Sequence, residues 1–99
     1  MKYKIVYRPF VKTDLQNAVD YYKMISPKLA KEFLFRIKEA KNYILNNPEA
    51  DDVMYNEIRM HNLYQFPYNI HYFVDLKNEQ IVILAVAFSK RENLNFNKR

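Results

Sequence analysis

Arg59, His71, Lys90 and Arg91 are the side chains of this sequence best equipped to act on an anion. A guanidinium grips phosphate or carboxylate through a planar fork. An imidazole titrates near neutrality, which makes His71 a candidate general acid or base on RNA. Beside a cleaved phosphodiester, Arg59 or Arg91 would stabilise the charge that builds in the transition state, so Arg59, His71 and Arg91 form the candidate catalytic set. The cations Arg59, Lys90 and Arg91, with Phe73 or Tyr55 to stack on a base, equally suit a surface that holds an anionic partner without cutting it. A third account is structural: solvated charges at strand ends, with Arg91 paired to Glu92 or Glu57. Spacing alone leaves all three open.

Other chemistries find less support. The sequence has no glycine, which argues against a phosphate-cradling loop of the Walker or dinucleotide type. It has no cysteine, so neither a disulfide framework nor a thiolate metal site is available. His61 and His71 have no supporting carboxylate pattern, and zinc wants three or four ligands, so both read as satisfied or solvated histidines. Ser89 reads as a strand-end residue. No metal and no cofactor are expected.

The elements that must position these residues follow from periodicity. Ile81 to Phe88 is an uninterrupted apolar run, suited to a strand buried on both faces, and it delivers Ser89-Lys90-Arg91-Glu92 to the end of a sheet. Tyr3 to Arg8 alternates and stops at Pro9, a short first strand. Thr13 and Gln16 suggest a capping box for a helix whose stripe is Val11, Leu15, Ala18, Val19, Tyr22 and Ile25. Ser26-Pro27 stops it and starts a second helix, with Ser26 as cap and Leu29, Phe33, Ile37, Ala40 and Ile44 recurring until Asn46-Asn47-Pro48. Beyond the acidic loop Glu49 to Asp52 the period becomes two: one strand from Met54 to His61, extending toward Leu63-Tyr64, and another from Tyr68 to Asp75. Asn78 is expected in the left-handed conformation in the turn before the last strand. The order is β-α-α-β-β-β, an α+β fold: an antiparallel meander with the first strand on an edge and the helical hairpin on one face. Arg59 and His71 are expected on the opposite face.

At 99 residues the chain is one domain, 1–99, and 49% hydrophobic content is enough for a sizeable core. The net charge of +5, from 16 Lys+Arg against 11 Asp+Glu, favours an anionic partner, either nucleic acid or an acidic protein segment. The first residues carry alternating charges and no signal-peptide core, and no apolar run approaches the ~18 residues of a membrane span. A soluble, cytoplasmic protein with no membrane partner is expected.

Three stretches together resemble the RelE/ParE superfamily of bacterial type II toxins, which includes plasmid stabilisation proteins. They are D-L-x-x-A-V-x-Y-Y from Asp14 to Tyr22, F-P-Y-x-I-x-Y from Phe66 to Tyr72, and the strand ending A-V-A-F-S-K-R-E-N. They occur in the right order over nearly the whole chain. The resemblance implies a RelE-like fold, growth inhibition, and neutralisation by a cognate antitoxin whose extended segment wraps the toxin and whose gene is adjacent. It also implies a toxin-antitoxin hetero-oligomer. RelE-like members are ribosome-dependent mRNA endoribonucleases that need no metal; ParE-like members bind and poison DNA gyrase. Arg91 matches the family's arginine after the last strand, Lys90 the lysine before it, and Arg59 a basic position on the second strand. Asn69, Glu57 and Phe96-Asn97 stand where the ribonuclease pattern has an arginine, a lysine and a tyrosine, and neither Asn69 nor Phe96 exchanges a proton. The expectation is a ParE-like toxin, with a RelE-like ribonuclease as the alternative.

Overall fold

The computed structural model describes residues 2–89. Lys90 and Arg91, and the tail with Phe96, lie outside the described residues. The chain forms β1 (Lys4–Tyr7), α1 (Phe10–Ile25), α2 (Pro27–Asn46), β2 (Val53–Tyr55), β3 (Ile58–Asn62), β4 (Tyr68–Asp75) and β5 (Gln80–Phe88). The strands make one five-stranded sheet in the order β1-β5-β4-β3-β2. β2 to β5 form an antiparallel meander, and β1 lies parallel to β5 on the edge.

The helices bury the stripes that periodicity indicates. Val11, Ala18 and Tyr22 of α1, and Ala30, Phe33, Ile37, Ala40 and Ile44 of α2, pack with Ile70, Tyr72, Ile81, Ile83 and Val86 of the sheet. Each large apolar side chain so buried contributes about 1.5–3 kcal/mol. Tyr22, Phe33, Phe66 and Tyr68 form an aromatic knot with ring centroids 4.9 to 6.0 Å apart. Tyr22 of the Y-Y motif and Phe66 and Tyr68 of the F-P-Y motif are therefore core packing, while Tyr21 and Ile25 are exposed. On the other sheet face Ile58, Val82 and Leu84 make a smaller cluster, flanked by Val6, Tyr55 and Phe73. β5 is thus buried on both faces from Ile81 to Ala87.

Several local details differ from the sequence expectation. α1 begins at Phe10, directly after Pro9, so Thr13 lies inside the first turn and caps nothing. Gln16 bonds Asp20 instead. Pro27 opens α2 as expected, but Ser26 serves through its carbonyl, which accepts from Ala30 N–H, and not through its side chain. The single strand expected from Met54 to His61 is two strands joined by a tight turn at Asn56 (φ 42°) and Glu57 (φ 64°). Those angles suit a two-residue hairpin turn, for which asparagine is a usual first residue and glycine the usual second. In the β4–β5 turn Glu79, not Asn78, has positive φ. Asn78 instead donates from its backbone and side-chain nitrogens to the Asp75 carboxylate, at 3.2 and 2.8 Å.

A register shift lies between β4 and β5, where His71 pairs with Ala85 and Tyr72 with Ile83, leaving Leu84 as the extra residue of a bulge. Just beyond it, Val86 N–H donates to Asp14 Oδ2 at 3.1 Å. The aspartate of the first motif is therefore a link between α1 and the bulged strand.

Candidate functional site

Two polar groupings emerge, one on each side of the sheet. Cross-strand partners share a face, so Arg59, paired with Tyr72, faces the helices, while Met60, paired with His71, faces away. Arg59 and His71, expected side by side, are on opposite faces.

The helix-side grouping is organised by Asp51, in the loop between α2 and β2. Its carboxylate accepts from the Tyr72 hydroxyl at 2.7 Å and from His61 Nδ1–H at 3.0 Å. Because a carboxylate only accepts here, the proton of His61 lies on Nδ1. The imidazole stacks on Tyr43 of α2, centroids 5.0 Å apart. Arg59 donates to the carbonyls of Glu49 (3.1 Å) and Asp51. Burial, then the hydrogen bond to the Asp51 carboxylate, push the Tyr72 hydroxyl far above the ordinary tyrosine pKa, so it remains a donor. These residues pin the acidic loop to the sheet.

On the open face His71 is 5% exposed, and both ring nitrogens are engaged. Asn69 Oδ1 accepts from Nε2–H at 3.0 Å, and Nδ1 accepts from the Tyr55 hydroxyl at 2.9 Å. Tyr55 reaches over β3 from the edge strand, so this chain of bonds fastens the β2–β3 hairpin across the sheet. An imidazole sealed in this way is poorly placed to exchange protons with a substrate.

Beside Phe73 the face opens into a depression of about 440 Å³. Its floor is apolar, from Ile58, Phe73 and Leu84. Arg8, from the end of β1, extends over β5 to place its guanidinium carbon 5.9 Å from the centre of the Phe73 ring. Glu57 and Asp75 line the depression as well. Asp75 is held below the usual carboxylate pKa by the hydrogen bonds from Asn78, so it stays charged. Among the described residues, neither the Arg8 guanidinium nor the Glu57 carboxylate has a hydrogen bond or ion pair.

Phe73 is thus the one described member of the expected binding set on the open surface. Arg8, Glu57 and Asp75 are not among the site residues expected from the sequence. Arg8 could have been found as the arginine closing the first strand, but Glu57 needed the hidden turn. Among the described residues no three His, Asp or Glu side chains converge to hold a metal, and no helix is long and apolar enough to cross a membrane.

A sheet of a four-stranded meander extended by a parallel N-terminal strand, with a helical hairpin on one face and an open, charged depression on the other, defines an α+β protein of the RelE/ParE-like kind. The family model described as the ParE toxin of the type II toxin-antitoxin system, parDE, matches residues 5–93, and the chain belongs to that family. It is a ParE-like type II toxin, and its family partner is an antitoxin. The solved structure titled "Chromosomal ParDE TA system from P. aeruginosa" is similar in fold, with a TM-score of 0.76 at 19% identity, covering 90% of this chain and 98% of that one. Comparison with curated proteins yields no match.

Proposed function

We propose that this toxin works in the cytoplasm by binding its target and not by cutting RNA, and that the target is DNA gyrase. The observation that carries this reading is the separation of Arg59 from His71. Arg59 is spent on loop carbonyls on the helix side, and His71 is sealed between Tyr55 and Asn69 on the other. RNA cleavage through the 2′-hydroxyl needs an acceptor, a donor and charge stabilisation within reach of one phosphate. Two of the three residues expected to supply them cannot meet on one substrate. Binding asks less: exposed cations and an aromatic face suffice. Lys90 and Arg91 are proposed as contacts to the target or to an antitoxin carboxylate, and Phe73 as an antitoxin contact.

Purified toxin is expected to trap gyrase on DNA as cleavage complexes while leaving mRNA intact in a translating extract. Codon-positioned mRNA cuts with gyrase supercoiling undisturbed would sink the reading in favour of the ribonuclease. Arg91→Ala is expected to weaken the growth arrest at least tenfold.

A further inference from the structure

The depression beside Phe73 has an arrangement that the fold does not require. Two opposite charges, Arg8 and Glu57, stand around an apolar floor with no hydrogen bond or ion pair among the described residues. Arg8 comes from one edge of the sheet and Glu57 from the turn at the other edge, so the two converge only in the finished fold. Glu57 also holds φ at 64°, where glycine would sit without strain.

We propose that this depression is the seat of an antitoxin segment in which one apolar residue is flanked by a carboxylate on one side and a cation or amide on the other. The inference rests on the antitoxin partnership that family membership brings and adds where and in which direction the segment lies. The apolar residue enters between Ile58, Phe73 and Leu84. Its acidic neighbour meets the exposed Arg8 fork, 5.9 Å from the centre of the Phe73 ring, which grips a carboxylate in two places. The cationic or amide neighbour meets Glu57, with Asp75 as a second negative charge that Asn78 keeps ionised. The depression of about 440 Å³, with Arg8 and Glu57 in its lining, has room for an apolar side chain with a charged neighbour on each side. Charge order gives the site a polarity: the segment fits in one direction only.

The test is calorimetric titration of full-length toxin with the protein encoded by the adjacent gene, run beside titration with gyrase. Arg8→Gln and Glu57→Gln are each expected to weaken antitoxin binding at least tenfold, while Lys31→Gln on the exposed face of α2 changes it less than twofold. Arg8→Glu should regain at least tenfold when one acidic residue of the antitoxin, changed singly to Lys in a scan, is the one that meets it. Antitoxin affinity unchanged in both Arg8→Gln and Glu57→Gln would overturn the proposal. So would a loss confined to gyrase, which would make the depression a target site. If the wild-type toxin does not bind the adjacent product at all, the partnership reading falls first and takes this inference with it. Circular dichroism matching wild type confirms that each variant is folded.

Discussion

The two faces of the sheet use the same residue types to opposite ends. On the helix side an arginine, a histidine, a tyrosine and an aspartate are joined to one another and to loop carbonyls. On the open side Arg8 and Glu57 have an aromatic ring and an apolar floor nearby but no ionic or hydrogen-bonding partner among the described residues. A satisfied polar network rigidifies, whereas an unsatisfied pair at a surface is available to a second molecule. Residue identity alone does not separate structural from binding charges; pairing does. It also reverses the standing of Arg59, the more promising arginine by pattern, relative to Arg8.

The sharpest way to break this contrast is to remove the centre of the helix-side network. Asp51→Ala strips acceptors from His61 and Tyr72, and urea denaturation is expected to show a loss of about 2–4 kcal/mol. A loss below about 0.5 kcal/mol would mean that the network holds nothing together. Next in size is the alkaline response. A hydroxyl whose folded pKa is raised contributes stability that is fully present below the unfolded tyrosine value of about 10 and is lost as pH rises toward the folded value. Stability of the wild type should therefore decline steeply above pH ~10, and Tyr72→Phe should flatten that decline. Tyr22, also raised by burial, leaves a residual slope.

On the open face the expected effects are smaller and of different sign. Glu57→Gly relieves the positive φ and should stabilise the protein by about 0.5–1 kcal/mol, the reverse of its expected cost in antitoxin affinity. Arg8→Gln should alter stability by less than about 0.5 kcal/mol, since its guanidinium has no hydrogen bond or ion pair among the described residues and only a distant ring contact. A larger destabilisation would place Arg8 with the structural charges and collapse the contrast. Smallest is Asp75: its lowered pKa contributes stability that is present above the unfolded carboxylate value of about 4 and disappears as pH falls through the folded value. Asp75→Asn is expected only to flatten the acid limb of the stability profile.

Most of the architecture was legible because its signals are long and repeated. The helical stripes, the Ser26-Pro27 break, the alternation of β4 and the apolar run of β5 each span several turns or pleats, and burial enforces them. The hairpin at Asn56-Glu57 was hidden because the alternation of Met54, Asn56, Ile58 and Met60 runs through it without a glycine to mark it. A two-residue turn sets Tyr55 opposite Ile58, so the faces of the alternation are exchanged across it while the apolar residues still read as one strand. That same ambiguity put Arg59 on the wrong face, since one residue of register exchanges the faces of a strand. The bond of Tyr55 to His71 was beyond reach for a related reason: it depends on β2 lying two strands from β4, whereas Asn69 shares a face with His71 by simple alternation. The family motifs pointed correctly to the fold, yet several of their residues serve in the aromatic knot and at the bulge rather than in a site.

One feature bears on when the toxin can exist at all. β1 is made first, but its hydrogen-bonding partner is β5, the last of the described strands. The N-terminal strand must wait, unpaired, through the synthesis of everything between, and such distant pairing slows folding. Arg8 cannot reach Phe73 until that closure is made. Translation at about 5–20 residues per second leaves an interval of seconds in which the chain has its helical hairpin but neither its finished sheet nor its charged depression. A nascent toxin on this account lacks the seat proposed for its antitoxin until β1 closes on β5.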